Sequence, residues 1–149
     1  MLRNKKVQQN LSALHALRDE AHHLLDERLK EWVATSVFKL FPNPYFVVVM
    51  NIQTSKFFMV SRTLLDAMEM TEDEICSKPY IDFVIKDHKE HTQEEEDYII
   101  KNERELAHLM INTYTSKSGK PVHLEWSGKV SKINDHYLLT IGRILNPKP

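Results

Sequence analysis

The side chains whose types and spacing could do chemistry lie close together in the segment IKDHKEHTQEEEDYII, residues 85 to 100. On a helix, His88 and His91 would share one face, with Glu94 and Glu95 a turn further on. Imidazole and carboxylate groups in this arrangement can bind a transition-metal ion. The same spacing is typical of the solvated face of an amphipathic helix, and we favour this interpretation. The residues expected to point inward are Val84, Thr92, Tyr98 and Ile99.

The sequence offers few other candidates for catalysis. The HKEH motif lacks the i, i+4 histidine spacing of zinc proteases of the HExxH type. None of Ser61, Ser116 and Ser127 lies in a glycine-flanked nucleophile motif, and the sequence has no phosphate-binding glycine loop. The remaining histidines form no triad with a nucleophile. We therefore expect no catalytic residues, no metal ligands and no enzymatic activity.

Composition narrows the class of protein. The 149 residues include 20 basic and 21 acidic side chains, for a net charge of -1, which gives no electrostatic footprint for nucleic acid. The length suits one domain, and the single cysteine, Cys76, excludes an internal disulfide framework. The sequence has neither an apolar run of about 20 residues nor a signal peptide. We expect a cytoplasmic protein without a membrane span.

The first 41 residues contain neither glycine nor proline, and their apolar positions recur every three or four residues from Val7 to about Leu40. This pattern predicts one amphipathic helix, or two in tandem; a single helix would be about 50 Å long, longer than the domain that follows. A second copy of the helix would cover the rest of its apolar stripe, so we predict a homodimer. If Leu11 and Leu25 are core positions of a coiled coil, Arg18 and Arg28 fall on or near its apolar seam, which weakens the coiled-coil interpretation. The alternative is that the helix folds back on its own domain. The apolar positions of the predicted dimer helix are Leu11, Leu14, Leu17, Ala21, Leu25, Leu29 and Trp32.

The motif FPNP at residues 41 to 44 ends this helix, because proline cannot continue it. Two strands follow, YFVVVMNI and KFFMVSR, and then four short helices, of which the last is capped by Asp87 and runs to about Asn102. Thr71 and Glu74 form a capping box in this region. The strands AHLMINTYTSK, KPVHLEWSGKVSKI and HYLLTIGRIL complete the chain. This order predicts an α+β fold, a five-stranded antiparallel sheet with short helices on one face.

Residues 42–145 resemble a PAS domain, the sensor and dimerisation module of bacterial signalling proteins. The stretches that carry the resemblance are LLDAMEMTEDEICSKPYIDFVIKDHKEHT, TSKSGKPVHLEWSGKVSKI and LLTIGRIL. The chain departs from the family in the first hairpin turn, QTS, and at the exit, where ILNPKP replaces the usual Asp-Ile-Thr signature. With the helical pattern before it, the resemblance divides the chain into an N-terminal helix at 1–41 and a PAS-like sensor domain at 42–149. It places a protein partner or a fused output domain outside this chain.

The resemblance also supplies cofactor hypotheses. In haem-binding relatives the ligand is a histidine shortly before a tyrosine like Tyr98, and that position here is Glu95. In flavin-binding relatives the photoactive cysteine would fall near Pro79, whereas Cys76 lies earlier. The sequence therefore favours neither haem nor flavin, and the cofactor stays unknown. A haem- or metal-dependent sensor that uses His88 or His91 is kept as an alternative.

In the PAS family a small ligand sits between the sheet and the helices. The residues expected to line this pocket are Phe46, Val48, Met50, Met59, Leu65, Met68, Phe83, Tyr98, Ile99, Ile111, Leu124, Trp126 and Leu139. An apolar or aromatic ligand would fit such a lining, although these side chains can also simply fill the core. The resemblance implies a signal-sensing or protein-interaction module of two-component or cyclic-dinucleotide signalling. A ligand-free interaction adaptor is the other alternative.

Overall fold

The computed structural model describes residues 9–10, 26–102, 110–132 and 136–146, with side chains in these ranges apart from those at 26, 99–102 and 127–132. The predicted α+β fold is confirmed: five antiparallel strands form one sheet, flanked by short helices. The strands are β1 (Tyr45–Asn51), β2 (Phe57–Val60), β3 (Met110–Thr115), β4 (Pro121–Lys132) and β5 (Tyr137–Ile144). Their order across the sheet is β2-β1-β5-β4-β3, so the first and last strands pair in the middle.

Helix α1 (Asp26–Trp32) continues as a π-helical segment (Val33–Val37) and a 3-10 turn (Phe38–Leu40). Between β2 and β3 lie α2 (Arg62–Met68), α3 (Glu72–Ile75), a 3-10 helix (Tyr80–Phe83) and α4 (Lys86–Asn102). Helix α4 ends where the sequence predicts and begins one residue before the predicted cap, so Asp87 lies in its first turn.

The predicted capping box at the start of α3 is confirmed. The Thr71 hydroxyl accepts a hydrogen bond from the Glu74 backbone N–H at 3.2 Å, and the Glu74 carboxylate accepts one from the Thr71 N–H at 3.1 Å. These bonds satisfy two backbone donors that a helix N-terminus otherwise leaves unpaired. This helps a helix of only four residues to form.

The sheet is apolar on both faces, because the β-branched and aromatic residues of its central strands alternate between two cores. Phe46, Val48 and Met50 of β1 point toward α2, α3 and α4, into the larger core. Val47 and Val49 point to the opposite face, where they meet Leu29, Val33, Val37, Phe41, Leu139 and Ile141. Residues 29–41 therefore cover the outer face of the sheet in the same chain.

This packing corrects part of the predicted dimer helix. Leu29 is completely buried and Trp32 packs beside it, both against the chain's own sheet. The reason is that Leu29, Val33 and Val37 recur every four residues on one face, and the apolar outer face of the sheet needs a cover. The other predicted positions, Leu11, Leu14, Leu17, Ala21 and Leu25, lie outside the described residues.

The residues that the structure describes do not show a single helix from Val7 to Leu40. Such a helix would hold residues 10 and 40 roughly 45 Å apart, since each residue advances the axis by about 1.5 Å. Instead, the Asn10 side-chain amide donates a hydrogen bond to the Leu40 carbonyl at 2.6 Å. The alternative in which the N-terminal segment packs on its own domain holds for residues 29–41.

Close packing in the larger core depends on one glycine. A Cβ atom at Gly142 would lie only 2.3 Å from the ring of Phe46. That ring lies directly against the backbone of β5 and meets Trp126 edge-to-face, with ring centroids 5.1 Å apart. The absence of a side chain at Gly142 thus fixes the position of Phe46, and through it that of Trp126.

We predict that Leu29→Ala lowers the free energy of unfolding by about 2 to 5 kcal/mol, because it leaves a void between residues 29–41 and the sheet. Urea denaturation followed by circular dichroism measures this loss. Glu31→Ala, at an exposed position of the same helix, should change it by less than about 0.5 kcal/mol. Equal effects of the two changes would show that residues 29–41 do not pack on the sheet in solution.

Candidate ligand-binding cavity

A cavity of about 60 Å³ lies between the sheet and α4. Its apolar lining comes mainly from the strands, and its polar lining comes from α4, the 3-10 helix and three strand positions. The apolar lining residues are Val48, Met50, Phe57, Met110, Trp126 and Leu138. The polar ones are Tyr80, Thr92, Glu95, Glu96, Asn112, Tyr114 and Thr140. An apolar wall with a few polar groups is the usual composition of a small-molecule site.

Glu96 is the central polar residue of the cavity and is almost fully buried. Its carboxylate accepts hydrogen bonds from the Tyr80 hydroxyl at 2.7 Å, the Ser55 hydroxyl at 2.8 Å and the Gln93 amide at 3.3 Å. These bonds connect α4 to the 3-10 helix and to the turn between β1 and β2. Because a buried carboxylate is costly without such partners, the three donors hold Glu96 in place.

Two tyrosines around this carboxylate keep their protons. Burial first, and then the negative charge of Glu96, raise the pKa of Tyr80 and that of Tyr114 well above the ordinary value. Both phenols therefore remain neutral hydroxyls. The hydroxyl of Tyr114 is fully buried and has no hydrogen-bond partner among the described residues.

A second hydrogen-bonded chain crosses the cavity wall through Asn112. The Asn112 amide donates to the Thr92 hydroxyl at 3.1 Å, and the Asn112 carbonyl oxygen accepts from the Trp126 indole N–H at 2.8 Å. The indole can only donate, so this contact fixes which way the Asn112 amide points. The chain joins α4, β3 and β4 and orients the Trp126 ring.

His88 holds the start of α4 against the sheet. Its Nδ1 atom accepts a hydrogen bond from the Thr113 backbone N–H at 3.0 Å, and the Ile85 N–H donates to the Thr113 carbonyl at 2.9 Å. The prediction that both histidines face water is therefore wrong for His88, whereas His91 is exposed. The reason is helical phase, since His88, Thr92 and Glu96 are spaced by four and form the inward face of α4.

The metal hypothesis receives no support from this geometry. Within ranges 26–102, 110–132 and 136–146, the structure shows no group of three or more His, Cys, Asp or Glu side chains that could hold a metal ion. The Nδ1 atom of His88 is already an acceptor for a backbone N–H. Cys76, the candidate for a flavin-binding cysteine, does not line the cavity. Glu95 does line it, at the position that a haem ligand has in the predicted alignment.

The predicted pocket residues divide into several groups. Val48, Met50 and Trp126 line the cavity, whereas five others belong to the same core without lining it: Phe46, Leu65, Met68, Phe83 and Leu124. Met59 and Leu139 lie on the opposite face of the sheet, because they pair with Val49, which points away from the cavity. The side chain of Ile99 lies outside the described residues.

The sequence predicts that Tyr98 and Ile111 line the pocket, but their side chains are 42% and 53% exposed. Tyr98 is two residues past Glu96 and so falls on the outward side of α4. Ile111 alternates with the cavity residues Met110 and Asn112, so it points to the other face of β3.

The residues that the sequence did not assign to the pocket are mostly polar or aromatic: Phe57, Tyr80, Glu96, Met110, Asn112, Tyr114, Leu138 and Thr140. Glu95 was assigned only as the counterpart of a haem ligand, and Thr92 only as an inward residue. Strand alternation through Met110, Asn112 and Tyr114 is a signal that identifies part of this set.

Solved structures provide the comparison for this fold. A Rhodobacter sphaeroides LOV protein aligns with a TM-score of 0.61 at 13% identity, covering 84% of this chain and 70% of that one. The PAS domain of the Cronobacter turicensis RpfR quorum-sensing receptor, in complex with C12:0, aligns with a TM-score of 0.58 at 8% identity, covering 70% and 97%. Drosophila melanogaster Cycle PAS-B with bound ethylene glycol aligns with a TM-score of 0.53 at 11% identity, covering 66% and 98%.

The scan against protein-family models gives no match, and neither does the search of curated proteins. Along the described ranges of the chain, the helices are too short or too polar to cross a membrane.

We predict that Asn112→Ala lowers the free energy of unfolding by about 1 to 3 kcal/mol, because it leaves the Thr92 hydroxyl and the Trp126 indole N–H buried without their partner. Urea denaturation measures the loss. Ile111→Ala, the exposed neighbour on the same strand, is the matched control and should have a much smaller effect. A similar loss for both variants would contradict the assignment.

We predict that Cys76 reacts slowly with iodoacetamide. Burial, and after it the charge of Glu72, raise the pKa of the Cys76 thiol from 9.0 to about 11. At pH 8 the thiolate fraction, and with it the alkylation rate, should be about 100-fold below that of the urea-unfolded chain. Mass spectrometry of timed samples measures both rates, and comparable rates would contradict the half-buried position of Cys76.

Proposed function

Because the chain has the fold of PAS domains, we propose that it is a non-enzymatic sensor module that binds a small molecule between its sheet and α4. The observation that carries the proposal is the cavity itself, in which an apolar wall meets a convergent set of buried polar groups. Two of the similar structures hold a small molecule, ethylene glycol in Cycle PAS-B and C12:0 in the RpfR domain. These relatives support a ligand-binding role without naming the ligand of this chain.

The contacts of α4 suggest how occupancy of the cavity would be transmitted. Helix α4 supplies Thr92, Glu95 and Glu96 to the cavity and is tied to β3 through His88 and Asn112. Strands β1 and β5 carry cavity residues on one face and contact residues 29–41 with the other. A ligand that shifts α4 against the sheet would therefore change the packing of residues 29–41, and would favour one of two packing arrangements.

The proposal extends to the setting of the module. We propose that the module is cytoplasmic and forms a homodimer. Its response would pass through residues 29–41 to a fused output domain or a protein partner beyond this chain. In a dimer, the apolar positions Leu11, Leu14, Leu17, Ala21 and Leu25 would provide the contacts that Leu29 and Trp32 do not.

We expect ethylene glycol to perturb the backbone amide resonances of residues lining the cavity and, more weakly, those of residues 29–41. Two-dimensional ¹H–¹⁵N NMR titration of the full chain measures these changes. Thr140→Leu is the control, since the larger side chain narrows the cavity without touching the outer face. Changes scattered over the surface, or identical in wild type and Thr140→Leu, would contradict a binding cavity and favour an adaptor with a filled core.

We expect the full chain to be a dimer at tens of micromolar. Size-exclusion chromatography with light scattering measures its mass, and substitution of Leu14 and Leu17 by Asp should shift that mass to one chain. The Glu31→Ala variant is the control and should keep the dimer. A wild-type mass of about 17.5 kDa would refute dimerisation and leave the ligand proposal standing.

A further inference from the structure

The charge of the cavity is one-sided. Two carboxylates, Glu95 and Glu96, line it, and none of the described lining residues is lysine, arginine or histidine. A negatively charged ligand would lose its water and meet two negative groups instead, which is unfavourable in a low-dielectric site. The lining therefore selects against the carboxylate head group of a fatty acid.

The partners of Glu96 leave its charge uncompensated. All of its hydrogen bonds come from neutral groups, the hydroxyls of Ser55 and Tyr80 and the amide of Gln93, and the described residues show no ion pair to it. Neutral donors stabilise a buried carboxylate through dipoles, whereas a cation beside it would add direct Coulombic attraction. A single positive charge placed beside Glu96 would therefore be electrostatically favourable.

The second observation is the hydroxyl of Tyr114. It is fully buried on the wall of the same cavity, and among the described residues it has no hydrogen-bond partner. Buried hydroxyls are nearly always hydrogen-bonded in folded proteins. A phenol oxygen can accept an N–H bond, so a ligand in the cavity that carries N–H groups would satisfy it.

Size limits the ligand further. A volume of about 60 Å³ corresponds to roughly four to six water-sized positions, which is enough for a molecule of a few non-hydrogen atoms. The apolar wall of Val48, Met50 and Leu138 suits a short alkyl chain. Building on the proposed sensor function, we propose that the ligand is a small primary ammonium ion with a short alkyl chain, which donates N–H bonds to Glu96 and to the Tyr114 hydroxyl.

The test compares three probes with the same three-carbon chain and different head groups: n-propylammonium, 1-propanol and propionate. Isothermal titration calorimetry or NMR titration of the full chain at pH 7 measures their dissociation constants. We expect n-propylammonium to bind about tenfold or more tightly than 1-propanol, and propionate to bind more weakly than both.

Single substitutions test whether Glu96 and Tyr114 cause the preference for n-propylammonium. Glu96→Gln should remove the advantage of n-propylammonium over 1-propanol, and Tyr114→Phe should weaken n-propylammonium about tenfold. Glu94→Gln, exposed on the same helix, is the matched control and should change neither constant. If Glu96→Gln does not fold by circular dichroism, Glu95→Gln provides a second removal of charge from the cavity and should reduce the preference.

The outcomes separate the two proposals. If 1-propanol binds in the cavity as tightly as n-propylammonium, or propionate binds best, the ammonium inference is wrong and the sensor function stands. The preference for n-propylammonium could also survive in all three variants, Glu95→Gln, Glu96→Gln and Tyr114→Phe. That result would show binding at the surface only and would overturn the inference. If neither these probes nor ethylene glycol enters the cavity, both proposals fail.

Discussion

The constraint on which the structure depends is that its sheet is apolar on both faces. Strand β1 alternates Phe46, Val48 and Met50 on one side with Val47 and Val49 on the other, and all five are buried. Neither face can be left in water, since exposing side chains of this size would forfeit the hydrophobic stabilisation that folding requires. The helices between β2 and β3 cover one face and residues 29–41 cover the other. Residues 29–41, which precede the first strand, are therefore part of the folded core.

The two covers differ in chemistry. Residues 29–41 meet the sheet with apolar side chains, whereas α4 meets it with His88, Thr92 and Glu96, each of which makes a hydrogen bond. Hydrogen bonds require specific distances and directions, so these three side chains hold α4 in a defined position against the sheet. The cavity lies beneath this helix. Thr92, Glu95 and Glu96 of this helix form part of its polar lining.

Much of the fold is predictable from the sequence because its signals are local. Strand alternation, the proline stop at residues 42–44 and the Thr71 capping box give the element order correctly. The candidate site is less predictable, because Glu96 stands in a run of four acidic residues and nothing local distinguishes it from the exposed Glu94 and Asp97. Only the phase of α4 against the sheet does so, and a register based on apolar residues selects Tyr98, which is exposed. Likewise, apolar spacing identifies Leu29 as buried, but it does not show whether the chain's own sheet or a second chain buries it.

The contact between α4 and Thr113 has a consequence for solubility. Strand β3 ends the sheet order, so half of its backbone N–H and C=O groups point away from β4. Unpaired groups on such an edge strand are a template for pairing with the edge of another molecule, which leads to aggregation. Here His88 accepts the Thr113 N–H and the Ile85 N–H donates to the Thr113 carbonyl, so the start of α4 occupies the middle of the edge. Loss of the His88 side chain would therefore expose a sheet edge as well as loosen the start of a helix.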